Sequence, residues 1–242
     1  MRPDVLPIEP ISRSNHVALH LAHRWFAYLE APGGDLNEHL NIFHPNVQLS
    51  GHRMNHIFAH DHQSLVAWFA SIPDEISSHH VIHSNYSTAE NGDGLLNMVV
   101  AYQAPGASRM QGSIISYETR IEFSPGAPRF IALGKTPILS NRRSSYETSW
   151  STNRVLARVH AELGGLTGAS DSVRRVLGDE VLQLSAQVTA PEGSSEYDAV
   201  VSAIMNDPAG VRVVQMRLID DVGQSMPSIE AAQVIRCSDT SL

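Results

Sequence analysis

Residues 79–103 read HHVIHSNYSTAENGDGLLNMVVAYQ, two strand-like runs on either side of Asn91-Gly92-Asp93-Gly94. A turn of that composition between two β-rich runs is a hairpin signal. Downstream, Met110 to Phe123 and Phe130 to Leu139 repeat the pattern beyond Pro105-Gly106 and Ser124-Pro125-Gly126. The four runs, starting with His79 to Thr88 and Leu95 to Gln103, predict an antiparallel meander. Upstream, Val17, Leu21, Trp25 and Leu29, with Ala18, Ala22 and Phe26, recur at helical spacing from Ser14 until Pro32-Gly33-Gly34. A short second helix is expected from Asp35 to Pro45, then a strand at Val47-Gln48-Leu49-Ser50. A third helix, capped by Asp61 and carrying Leu65, Val66, Trp68 and Phe69, should end at Pro73. The class is therefore α+β.

A polar stretch at 140 to 152 interrupts this pattern, which sets a boundary between residues 1–145 and 146–242. A helix through Val155, Val159 and Leu163 follows, ending near Gly164-Gly165, then a short helix through Val173, Val176 and Leu177. Leu182-Gln183-Leu184-Ser185 echoes Val47-Gln48-Leu49-Ser50. Strands are expected at Tyr197 to Met205, Val211 to Ile219 and Ile229 to Cys237. The second half reads as a truncated repeat of the first, lacking one helix and one strand, the counterpart of about residues 51 to 85. Val200, Ile204, Val213 and Met216 should then face a partner surface, through intrachain pairing of the two sheets or in a homo-oligomer.

Composition narrows the partners. Net charge is -8, and the arginines and single lysine, Lys135, form no run, so a nucleic-acid footprint is not expected. No stretch approaches the ~20 apolar residues of a membrane span, and MRPDVLPIEPIS lacks a signal-like apolar run, so a cytoplasmic, non-membrane protein is expected. Cys237 is the only cysteine and reads as an inert strand residue.

Helix, helix, strand, helix and a bent meander resemble the nuclear transport factor 2-like (SnoaL-like) superfamily. Local features are Phe43-His44-Pro45-Asn46-Val47, Ala67-Trp68-Phe69 and Arg129-Phe130-Ile131. The resemblance implies a cone of curved antiparallel sheet and helices around a pocket in the first half, and the echoed element order makes the second half a truncated tandem copy of it. Within it, His79-His80-Val81-Ile82 and Leu133-Gly134-Lys135-Thr136-Pro137 resemble scytalone dehydratases. That likeness implies His80 as the catalytic histidine, with Tyr28 and Ser116 in the pocket. Leu29 stands where that family has the orienting aspartate, Ser50 and Gly51 stand at a second acid and a tyrosine, and Glu118 at an asparagine. Ketosteroid isomerases place their aspartate base in the same Ser50-Gly51 region. The deciding question is whether Glu30 or Glu118 supplies the missing carboxylate from a neighbouring position.

All but His160 of the 13 histidines lie before residue 84. His16, His20 and His23 fall on the side of the first helix opposite Trp25 and read as solvated surface. His52, His56, His60 and His62 read as a loop of imidazoles over a pocket mouth or as a solvated loop, with no zinc or other metal and no cofactor expected. On the strand, strict alternation sends His80 to one face with Ile82, Ser84 and Tyr86, and His79 and His83 to the other. His80 is thus the expected acid or base, with Glu118 as the evident acid unless it pairs with Arg120. Tyr28, His52, Trp68, Tyr86 and Ser116 are the expected pocket residues for an apolar small molecule. A lyase or isomerase and a non-catalytic assembly module both remain open.

Overall fold

A computed structural model describes residues 9–30, 36–51, 56–71, 77–105, 110–123, 127–141, 150–167, 172–189, 195–206, 210–220 and 226–238. Helix α1 (Arg13–Glu30), a short α2 (Leu36–His39) and a 3-10 turn (Leu40–Ile42) lead into β1 (Phe43–Gly51) and β2 (His56–Ala59). Helix α3 (His62–Ser71) precedes β3 (Ser78–Thr88), β4 (Gly94–Pro105), β5 (Met110–Glu122) and β6 (Arg129–Asn141). These strands form one six-stranded sheet in the order β2-β1-β6-β5-β4-β3, with β1 parallel to β6 and every other pair antiparallel. Asp61 caps α3 as expected: its Oδ1 accepts the Ser64 N–H at 2.7 Å, and Ser64 Oγ accepts the Asp61 N–H at 3.0 Å. The expected breaks at Pro32-Gly33-Gly34, Pro73, Gly106 and Ser124-Pro125-Gly126 lie outside the described residues, as do Asp35, His52 and most of the stretch from 140 to 152.

Helix α4 (Trp150–Leu163) and α5 (Ser172–Leu177) are followed by β7 (Val181–Thr189), β8 (Glu196–Met205), β9 (Val211–Ile219) and β10 (Ser228–Ser238). These strands form a separate antiparallel sheet, ordered β10-β9-β8-β7. Strand β7 pairs antiparallel with β8, whereas β1 runs parallel to β6. The similar tetrapeptides of β1 and β7 therefore lie in strands that pair differently; in its pairing β7 is like β3, the first strand of a meander.

The layers run sheet, α1, α4, sheet. One face of α1 packs Ala18, Leu21, Ala22, Trp25 and Phe26 onto the six-stranded sheet, in a core with Leu49, Leu96, Met98, Val100, Ile121, Phe130 and Leu133. Helix α4 lays Val155, Val159 and Leu163 on the second sheet against Val201, Val214, Met216 and Leu218. The other faces of the two helices meet each other. Two of the sequence expectations are corrected here. The halves meet helix to helix and not sheet to sheet, and Met216 is fully buried beneath α4, while Ile204 stays 44% exposed on the far side of its sheet.

Helix α4 ends in a Schellman turn: Leu166 N–H donates to Ala161 O at 2.8 Å and Gly165 N–H to Glu162 O at 3.0 Å, with Gly165 at φ +69°. A Cβ there would also lie 2.7 Å from Arg13 Nη2. Gly165→Ala is expected to lower stability by about 1–2 kcal/mol, read from urea unfolding. Unchanged stability would show that the left-handed conformation is not needed.

Candidate active site

The face of α1 turned away from the sheet is lined by histidines, and α4 covers it. His16, His20 and His23 are 4–5% exposed, which overturns their reading as solvated surface. His20 Nδ1–H donates to Ala157 O at 2.9 Å, and His16 Nδ1 meets His160 Nδ1 at 2.8 Å, one ring donating and the other accepting. His23 stacks on His160 with centroids 5.5 Å apart, and its Nδ1–H donates to Asn153 Oδ1 at 2.7 Å. Burial lowers His16 and His20 from 6.5 to about 4 and also lowers His23 and His160. The interface is built from neutral imidazoles, which supply hydrogen bonds without the cost of a buried charge.

At the C-terminal end of α1 this seam reaches β3. Glu30, its side chain fully buried, accepts the backbone N–H of His79 at 2.6 Å on Oε1, and the His79 ring Nδ1 lies 3.2 Å from the same oxygen. Asn153 Nδ2 of α4 donates to Glu30 Oε1 at 3.1 Å and Oε2 at 3.3 Å, and to His79 O at 2.9 Å. A carboxylate on Nδ1 holds a proton there and sets the orientation of the ring. Phe26 stacks on the His79 ring at 5.0 Å and 8°, and Tyr102 lies 5.2 Å away at 59°. Tyr117 packs edge-on against Phe26 at 5.3 Å. Burial first, and then neighbouring Tyr102 and Glu30, push the Tyr117 hydroxyl upward, so it stays a donor.

On β3 the histidine that faces the helices is His79, one position before the expected His80. Pairing is regular from Ser78 to Val81, then shifts between Val81 and His83, so Ile82 is a bulge that breaks the alternation. His79 pairs with Tyr102 and Val81 with Val100 on the helix-facing side, and beyond the bulge Tyr86 rejoins that side opposite Leu96. His80 pairs with Ala101 on the opposite face and shares no face with Tyr86. Ser116 and Glu118, opposite Val99 and Asn97, also lie on that outer face, because their neighbours Ile115, Tyr117 and Thr119 are the buried ones. Glu118 is exposed, and Arg120 binds Asp93 at 2.6 Å instead of it. Of the proposed pocket residues, Tyr28 and Trp68 lie on the helix side among aromatic rings. Tyr28 meets His39 at 4.5 Å and Phe69 at 5.2 Å, and Trp68 meets Phe58 at 5.6 Å with Lys135 Nζ 5.3 Å from its ring. The imidazole loop is partly strand: His56 sits on β2 against Phe58, His60 is exposed, and His62 donates to Phe43 O at 3.1 Å.

Among the described residues no group of three or more His, Cys, Asp or Glu side chains is placed to hold a metal ion. Nor is any described helix long and apolar enough to cross a membrane.

No family model and no curated protein matches the chain. Solved structures do resemble it. A putative scytalone dehydratase from Novosphingobium aromaticivorans is 11% identical, with a TM-score of 0.40 over 54% of this chain and 87% of that one. A type 2 hexachlorocyclohexane dehydrochlorinase is 8% identical, with 0.47 over 55% and 91%. Nuclear transport factor 2 from Cryptosporidium parvum is 8% identical, with 0.43 over 54% and 99%. Each likeness spans about half of this chain. Residues 13–141 run two helices, a hairpin whose first strand lies parallel to the last strand of the sheet, a third helix and a four-stranded meander, an α+β fold similar to that of these structures.

Proposed function

We propose that this chain is a small-molecule enzyme of the lyase or isomerase type, with His79 moving a proton and Glu30 orienting its ring. The observation that supports it is the buried contact of His79 Nδ1 with Glu30 Oε1 at 3.2 Å, set among Phe26, Tyr102 and Tyr117. In this reading Nε2 takes a proton from a carbon beside a carbonyl. The electron pair left behind either forms a double bond as a leaving group departs or is reprotonated at another carbon. Aromatic surroundings suit an apolar organic substrate, and a tyrosine hydroxyl kept protonated suits its carbonyl oxygen. Glu30 thus takes the place at which Leu29 lacked an acid.

We propose also that residues 146–242 are a truncated second copy. Both halves begin with two helices and end in a four-stranded meander of the same strand order, and their first helices pack on each other; the second half has no counterpart of β1, β2 and α3, two strands and a helix where one of each was expected to be missing. That packing of like elements also favours the second reading, a non-catalytic assembly module forming an intrachain pseudo-dimer.

The test incubates a panel of apolar ketones and phenols with the full chain in D2O and follows carbon-bound deuterium by NMR. Exchange is expected with wild type and with His80→Gln, and should fall by at least about a hundredfold in His79→Gln. No exchange from any compound, or exchange that survives in His79→Gln, would contradict the enzyme reading.

A further inference from the structure

The second half reaches the dyad through the side chain of Asn153 on α4. Asn153 is 2% exposed, and each polar atom of its amide is committed: Nδ2 to both Glu30 oxygens and to His79 O, Oδ1 to His23 Nδ1. Only one orientation satisfies these partners. Turning the amide over would set Oδ1 against a carboxylate and a carbonyl, three acceptors without a proton among them. His23, by donating to Oδ1, fixes the sense of the amide, and the amide in turn fixes Glu30.

We infer that Asn153 of α4 is a positioning residue for the His79–Glu30 pair, so that the truncated half completes a site whose reacting groups all lie in the first half. This rests on the acid/base reading of His79. Glu30 Oε1 receives the His79 backbone N–H at 2.6 Å, and rotation about the carboxylate's terminal torsion would carry that oxygen off Nδ1. One Asn153 Nδ2–H is shared between Oε1 and Oε2 while the other goes to His79 O, which opposes that rotation and keeps Oε1 on Nδ1. The position resembles the outer support that a ligating or catalytic histidine needs to stay in one tautomer. It also gives α4 a purpose that a mere covering helix would not require: Val155 and Val159, which seal α4 to its own sheet, would do that alone.

The test reads the ring of His79 directly, without a substrate. In the 15N-labelled full chain, long-range 1H–15N spectra should show wild-type His79 protonated on Nδ1 and bare on Nε2. Asn153→Ala and the nearly isosteric Asn153→Asp should each give a mixture of tautomers, and His23→Phe, which removes only the donor to Oδ1, a weaker change in the same direction. A structural role alone would lower the melting temperature and leave the tautomer untouched. An unchanged His79 spectrum in any folded Asn153 variant would overturn the inference. Where a panel compound exchanges deuterium, Asn153→Ala should slow it by about tenfold or more. Unaltered exchange would also overturn the positioning role and leave the enzyme reading standing. If nothing exchanges, the enzyme reading fails, and the tautomer result still decides whether Asn153 holds the pair.

Discussion

Acidification from pH 7 to about 5 is expected to open the chain at the α1–α4 seam. His16 and His20 are lowered from 6.5 to about 4 by burial, and His23 and His160 move the same way. A base whose pKa is lower folded than unfolded binds fewer protons in the folded state. The stability it contributes is whole above about 6.5 and is lost as pH falls toward 4. Taking His16 and His20 together, the loss reaches about 7 kcal/mol when both are fully protonated, and roughly three fifths of it is incurred by pH 5. That is comparable to the whole stability of an ordinary domain. The charged groups nearby do not reverse the sign. Arg174 opposes protonation of His16, Arg24 and Arg158 oppose it at His20, and only Asp179 beside His16 and Glu30 beside His23 favour it. The His16–His160 contact adds a geometric reason, since two protonated rings would point N–H at N–H across 2.8 Å. Melting temperature should fall steeply below pH 6, with uptake of at least two protons on unfolding at pH 5. A flat profile between pH 7 and 5, or a His16→Phe/His20→Phe variant as acid-labile as the parent, would refute it.

Phe26→Ala should be the most damaging single truncation in the first half. Phe26 is fully buried, stacks on His79 and meets the Tyr117 ring edge-on. Its removal forfeits burial and leaves a cavity beneath α1, costing about 3–5 kcal/mol. It also frees one face of the His79 ring, so deuterium exchange should fall in the protein that remains folded. Val66→Ala on α3, where the side chain is 38% exposed, is the control and should change stability by no more than about 0.5 kcal/mol. A urea unfolding series compares the two, and equal midpoints would contradict the packing described.

Much of the fold was legible because local signals were strong. The runs from His79 to Leu139 became β3 to β6 within a few residues, Asp61 capped α3, and Gly164-Gly165 ended α4. Two features of the site were hidden for physical reasons. The bulge at Ile82 carries no glycine or proline, so alternation counted from Tyr86 put His80 on the helix side and His79 on the outer face, the reverse of their placement in the sheet. The histidine face of α1 looked solvated because an amphipathic helix is assumed to have one dry side. A signal was present: α1 carries only Arg13, Arg24 and Glu30 as charges, and its polar face is otherwise imidazole, which can be buried neutral. Glu30 was named as a possible source of the missing carboxylate, but nothing local could reveal that Asn153, more than a hundred residues away, would meet it.

The claim that the reacting centre lies on the helix side of the sheet, around His79 and Glu30, is tested most directly by a crystal structure of the full chain soaked with the panel compound that most raises its melting temperature. The account predicts density in the interior, with a ligand atom within about 3.2 Å of His79 Nε2 and the ring flanked by Phe26 and Tyr102. Density on the opposite face beside His80, Ser116 or Glu118, with the interior filled by side chains alone, would contradict it.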